Sequence, residues 1–241
     1  MKTYINLVHG DCLEKMLSLD SEAYDCVMSD PPYGMDFQSG HRKGRNQFIK
    51  IDNDQSPFIW YLYHSYRVLK PTGCIFVFCN WRSWTVFYNA LTSARFCVMS
   101  TIVWDKMSYG MGDLKRSFAS SYELVIFAVK TSQFLFPDGR RPKDLISIPR
   151  VDTGRMLHPN EKPVSLYEYL IRHTTKEGDW IIDPFAGSAS AGIAASNTKR
   201  NYIGIEINPN YYNVAKQRLA SAIGAPQKNG DHLEYSPIML I

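Results

Sequence analysis

Short apolar runs that read as strands alternate with amphipathic runs that read as helices along almost the whole chain. Strand patterns cover "TYINLVHGD" (3–11, with a turn), "YDCVMSD" (24–30), "CIFVFCN" (74–80), "MSTIVWDK" (99–106), "SYELVIFAVK" (121–130), "DWIIDPFAG" (179–187, with a loop) and "NYIGIEINP" (201–209). Helical patterns cover 12–19, 56–73, 83–96, 162–178, 188–200 and 210–224. In the second of these Ser56 and Pro57 act as start signals, and Pro71 and Gly73 as stop signals. Parallel strands need a crossover between them, and a helix is the usual one, so the alternation predicts an α/β fold with a largely parallel sheet. "CIFVFCN" is apolar without alternation, as expected of a central strand covered on both faces.

Two stretches break the rhythm. From about 131 to 158, Pro137, Pro142, Pro149, Gly139 and Gly154 fall among several arginines, which predicts an irregular insert. After Gly224 the chain turns polar, and 225–241 reads as a peripheral tail. The remainder reads as a single domain, 1–241, since 45% hydrophobic residues suffice for one core. Residues 1–11 are too short and too polar for a signal peptide, and no run of eighteen apolar residues exists, so no membrane span is expected. Cys12, Cys26, Cys74, Cys79 and Cys97 form no C-x-x-C pair and read as reduced core residues of an intracellular, cytoplasmic protein. A net charge of +4 permits a polyanionic partner without requiring one. The basic residues concentrate in loop-like segments, 41–50 and 138–150.

"SDPPYGMDF" (29–37) directly follows the second strand. Pro31 and Pro32 have no N–H for a ladder, so the strand stops in a stiff corner that presents the Asp30 carboxylate, two carbonyls and the Tyr33 ring. A second constellation is "DWIIDPFAGSASAGIAA" (179–195): strand, glycine-containing loop, helix of small residues. Such a loop at the carboxyl end of a strand lets a ligand approach the backbone and the helix N-terminus. One strand later, Glu206 ends an apolar run, where a carboxylate can accept hydrogen bonds from ribose hydroxyls. Gly187 and Gly192 do not make G-x-G-x-x-G, which disfavours a dinucleotide and with it a nicotinamide oxidoreductase. Asp183 before the loop would repel a pyrophosphate but suits an ammonium. These features together point to S-adenosylmethionine, which carries an ammonium and a sulfonium and has no phosphate.

"DPPY" (30–33) followed by "DPFAGS" (183–188) resembles the DNA amino-methyltransferases, and in that order their circularly permuted β group. "HGDCL" (9–13), "VLKPTG" (68–73), "YELVIFAVK" (122–130) and "HPNEKPVSLYEYLI" (158–171) resemble the family's auxiliary segments, so the likeness spans nearly the whole chain. It implies a Rossmann-like, S-adenosylmethionine-dependent methyltransferase fold with a mostly parallel seven-stranded sheet containing one antiparallel strand. It also implies roles. Asp30 and the Pro31 carbonyl would accept hydrogen bonds from the amino group of the target base. Pro32 would stiffen that corner, and Tyr33 would stack on the base once it is flipped out. Asp183, Pro184, Phe185, Ala186, Gly187 and Ser188 would hold the methionine part of the cofactor. Glu206 would take its ribose and Asp11 its adenine, and Lys162 would lie near its carboxylate. The family often has a second glycine where this chain has Ala189. At negative φ alanine fits there, and at positive φ it costs about 1 kcal/mol.

An exocyclic amino nitrogen is a poor nucleophile because its lone pair is delocalised into the ring. Acceptors on its N–H groups localise that pair, and the methyl on sulfonium needs little beyond alignment. A stacked base cannot reach such a pocket, hence base flipping. Asp at position 30 leans toward adenine N6, since cytosine-N4 members more often carry Ser there. Cytosine N4 and a catalytically degenerate DNA-binding fold are the alternatives. The resemblance further implies double-stranded DNA as partner and allows a homodimer and a cognate restriction enzyme. Residues 131–157 would be a small target-recognition insert holding Arg140, Arg141, Lys143, Arg150 and Arg155. Residues 36–56 would be a mobile loop holding Arg42, Lys43 and Arg45. A third basic segment holds Lys115 and Arg116.

Overall fold

A computed structural model describes residues 3–33, 56–109, 115–116, 118–152 and 161–223. The expected loop at 36–56 (save Ser56) and the tail at 225–241 lie outside these residues, as do Arg42, Lys43, Arg45 and Arg155.

Among the described residues eight strands form one sheet: β1 (Ile5–His9), β2 (Tyr24–Ser29), β3 (Leu69–Cys79), β4 (Cys97–Asp105), β5 (Tyr122–Val129), β6 (Leu145–Ser147), β7 (Trp180–Asp183) and β8 (Asn201–Glu206). Their order across the sheet is β1-β8-β7-β2-β3-β5-β4-β6. Every strand runs the same way except β5, which pairs antiparallel with both β3 and β4. Seven strands were expected. The eighth, β6, comes from the stretch expected to be irregular: "LIS" carries no proline and completes the free edge of β4.

Among the described residues six helices flank the sheet: α1 (Cys12–Leu17), α2 (Tyr61–Val68), α3 (Trp84–Ser93), α4 (Val164–Thr174), α5 (Ser190–Asn197) and α6 (Pro209–Ile223). The period-two pattern of the strands builds two cores. Val27, Ile75, Val77, Ile126 and Ile182 face α1, α2 and α3, while Cys26, Phe76, Phe78, Val125, Phe127 and Ile181 face α4 and α5. The α2 helix is shorter than the pattern from Ser56 suggested. Pro57 and Phe58 instead pair with the corner that follows β2, Phe58 N donating to Pro32 O at 2.9 Å and Tyr33 bridging Pro57. At its far end the helix passes directly into β3 at Leu69, so Pro71 and Gly73 lie inside a strand and not in a stop signal. Cys12, Cys26, Cys74 and Cys79 are buried free thiols as expected; Cys97, at the first position of β4, is exposed. No described helix is long and apolar enough to cross a membrane.

Candidate active site

Four acidic residues far apart in sequence come together because β1, β8, β7 and β2 are consecutive neighbours in the sheet. Each ends in, or is followed by, a carboxylate: Asp11 after β1, Glu206 on β8, Asp183 on β7 and Asp30 after β2. Asp11, Glu206 and Asp30 line one cleft at the carboxyl edge of the sheet, together with Pro31, Pro32, Tyr33, Pro184, Phe185, Ala186, Gly187, Ser188 and Lys162, and the buried Asp183 directly precedes the Pro184 of that lining. The catalytic and cofactor residues expected from the sequence thus line this cleft, except Asp183, which is buried directly beside it.

The cofactor-loop side is organised by backbone amides. Asp11 caps α1, its carboxylate accepting from Leu13 N at 2.7 Å and Glu14 N at 3.4 Å. Asp183 accepts from Phe185 N at 3.0 Å and from the Tyr202 hydroxyl at 3.2 Å. The Tyr202 ring lies where a side chain on Gly204 or Gly192 would stand, and a Cβ on Gly192 would approach it to 2.8 Å. Glu206 accepts from Gly187 N and from Asn208 N, each at 2.8 Å. Among the described residues no cation pairs with Asp11, Asp183 or Glu206. Burial pushes the Asp183 carboxyl up to about 7, against the pull of its two hydrogen bonds and with help from the neighbouring Asp30 and Glu206 charges. Burial likewise raises Glu206 above the ordinary carboxylate range. Such acids suit a ligand that brings positive charge and hydroxyl donors, not a pyrophosphate.

The loop turns through Gly187 (φ +53°) and Ala189 (φ +59°), the latter fully buried at the N-cap of α5. Alanine therefore occupies a left-handed position, the strained branch of the expectation. Arg218 of α6 braces the loop from behind. Its guanidinium donates to Ser188 O, Ser188 Oγ and Ser190 Oγ at 2.8–3.0 Å and pairs with Glu161 at 2.6 Å.

The catalytic side is organised differently. Lys162, 3% exposed, places its ammonium 2.7 Å from Asp30 Oδ2 and 3.3 Å from Glu123 Oε2. Burial alone would lower its pKa, but Asp30 and Glu123 outweigh that and hold it well above the usual lysine value. Glu123 stands at this edge because β5 is reversed, so its amino end lies beside the carboxyl ends of its neighbours. An aromatic seam joins the two sides. Phe58 and Tyr61 pack edge-on against Phe185, and Ser29 Oγ donates to the Tyr61 hydroxyl at 2.8 Å. Sequence reasoning missed Glu123, Glu161, Arg218, Tyr202, Phe58 and Tyr61. They share no short motif, and for Glu123 the one usable signal was an acid at the start of an apolar strand.

The expected DNA-contacting residues divide. Arg140, Arg141 and Lys143 are exposed on the segment leading into β6, and Arg150, also exposed, follows β6, its N–H donating to Lys106 O at 3.3 Å. Lys115 and Arg116 are exposed.

Residues 24–217 match the N6 and N4 DNA methylase family. The chain belongs to that family. It is 27% identical to the type II methyltransferase M2.DpnII of Streptococcus pneumoniae over 90% of each chain. Its fold matches M1.HpyAVI, solved as a complex with S-adenosylmethionine, at a TM-score of 0.66 and 25% identity, over 89% of this chain and 100% of that one. It also matches the PvuII DNA methyltransferase, described as cytosine-N4-specific, at a TM-score of 0.69 and 21% identity, over 90% and 87% of the chains. As in other β-group amino-methyltransferases, the catalytic motif of this DNA methylase precedes its cofactor loop.

Proposed function

We propose that this DNA methylase transfers a methyl group from S-adenosylmethionine to the N6 amino group of an adenine flipped out of double-stranded DNA. The observation that carries the reading is the convergence on one cleft of an acceptor corner, Asp30 to Tyr33, with the loop Pro184 to Ser188 and the Glu206 carboxylate. The cofactor supplies a methyl group already activated on sulfonium. Asp183 carries the charge that complements its ammonium, Glu206 and Asp11 accept from its hydroxyls and adenine, and Gly187 gives the close backbone approach. Asp30 and the Pro31 carbonyl accept hydrogen bonds from the two amino protons of the base, and Tyr33 replaces the stacking lost on flipping; the N–C bond would form as the S–CH3 bond breaks, S-adenosylhomocysteine would leave as a neutral thioether, and the excess amino proton would pass to solvent. Asp rather than Ser at position 30 supports adenine. Segment 131–157 reads the target and 36–56 closes over it. The type II naming of its relatives supports a place beside a restriction enzyme of the same specificity.

Expression in a methylation-free host tests this, with modified bases read by long-read sequencing and Asp30→Ala as control. The expected outcome is N6-methyladenine in one short motif. N4-methylcytosine would move the substrate to cytosine. Absence of both, in a protein that binds DNA but not S-adenosylmethionine, would favour the degenerate binder.

A further inference from the structure

We propose that Lys162 is a positioning residue for Asp30: steered by Glu123, its ammonium holds the carboxylate that accepts the target amino group, and it does not bind the carboxylate of the cofactor. The inference rests on the methyltransferase reading above and departs from what the family resemblance implies for this lysine.

Three distant segments build the arrangement. Asp30 follows β2, Glu123 opens the reversed β5, and Lys162 precedes α4. The ammonium lies 2.7 Å from Asp30 and 3.3 Å from Glu123, walled by the Phe78 ring at 5.5 Å and the Tyr33 ring at 6.0 Å. The other Glu123 oxygen lies 3.5 Å from Lys106 Nζ. Among the described residues, two carboxylates and two ammonium groups therefore alternate here. A buried ammonium already shared between two carboxylates is poorly placed to take a third. A carboxylate held by a fixed cation needs little reorganisation when the amino group arrives, which is where preorganised acceptors contribute most. Glu123 offsets part of the Lys162 charge, so Asp30 keeps its strength as an acceptor.

The test compares wild type with Lys162→Met, Lys162→Arg and the charge-balanced pair Lys162→Met with Glu123→Gln. It reads the single-turnover methyl-transfer rate at saturating S-adenosylmethionine and unmethylated DNA, and the S-adenosylmethionine Kd by calorimetry. Lys162→Met should slow transfer by about 100-fold while Kd moves less than about threefold, and Lys162→Arg should recover about tenfold of the loss. Should Lys162→Met not fold, the charge-balanced pair, expected to slow transfer similarly, carries the same comparison. A Kd weakened about tenfold or more with the saturated rate retained would overturn the inference and return Lys162 to the cofactor. Wild-type rates in every variant would also overturn it. A wild-type chain that transfers no methyl group would overturn the reading beneath it, an outcome distinct from both.

Discussion

The two sides of the cleft use carboxylates in opposite ways. On the catalytic side, Asp30 has a fixed cation 2.7 Å away. On the cofactor side, Asp11, Asp183 and Glu206 are held by backbone amides and a phenol, with no cation paired to them among the described residues. A buried carboxylate without a counter-ion gains most from a ligand that brings one, whereas a neutralised carboxylate can accept hydrogen bonds from a neutral amino group without demanding charge. Under the proposed function, the difference would sort four similar acids into one acceptor for a neutral base and three partners for a cationic cofactor, by environment alone.

The largest expected effect breaks the catalytic side. Asp30→Ala should lower the single-turnover methyl-transfer rate by about 10³-fold while S-adenosylmethionine affinity, read by calorimetry, changes only a few-fold. Comparable loss in both would merge the two sides into one.

Asp183→Asn tests the other side and should weaken S-adenosylmethionine at least about tenfold at pH 8. The wild-type carboxyl is raised to about 7 from 3.8, so between those values the folded state holds a proton that the unfolded chain releases. Stability from this group is therefore highest below about pH 4 and falls as pH rises toward 7, by on the order of 4 kcal/mol, a fall that Asp183→Asn should lack. Cofactor affinity should run the other way, rising about tenfold per pH unit up to 7 in wild type and flat in the variant, because the ammonium pairs with the ionised form. Titrations of Kd against pH and denaturant melts at pH 4 and pH 8 check both signs.

Arginines outside the cleft interior serve as a control on the comparison. Arg150→Ala should weaken DNA binding and reduce the slope of log K against log salt by about one, and Arg140→Ala with Arg141→Ala by up to about two. Neither should alter S-adenosylmethionine affinity. An unchanged salt slope in both would remove 131–157 from the DNA surface. The smallest effect belongs to Ala189→Gly. Glycine relieves the left-handed strain but gives up a buried methyl contact with Ile193, Ala215 and Leu219, so a net gain under about 1 kcal/mol and a rise in Tm of about 1–3 °C are expected by calorimetry.

By itself the sequence determined the layered α/β order, the stiff corner at Asp30 and the loop at Asp183, because period-two and helical patterns, paired prolines and a glycine loop are local signals read over a few residues. It did not reveal β6, a three-residue strand too short to show a period, which forms because β4 offers a free edge. Nor could it decide the conformation of Ala189, since alanine alone is compatible with either sign of φ. The partner of Lys162 was also beyond it: a lysine preceding a helix carries no mark of which carboxylate it will meet. That was decided in the tertiary structure by strand order and by the reversal of β5, which set residues 30, 123 and 162 around one buried ammonium. Contacts between segments a hundred residues apart depend on topology, and topology is where the chemistry of this cleft was assigned.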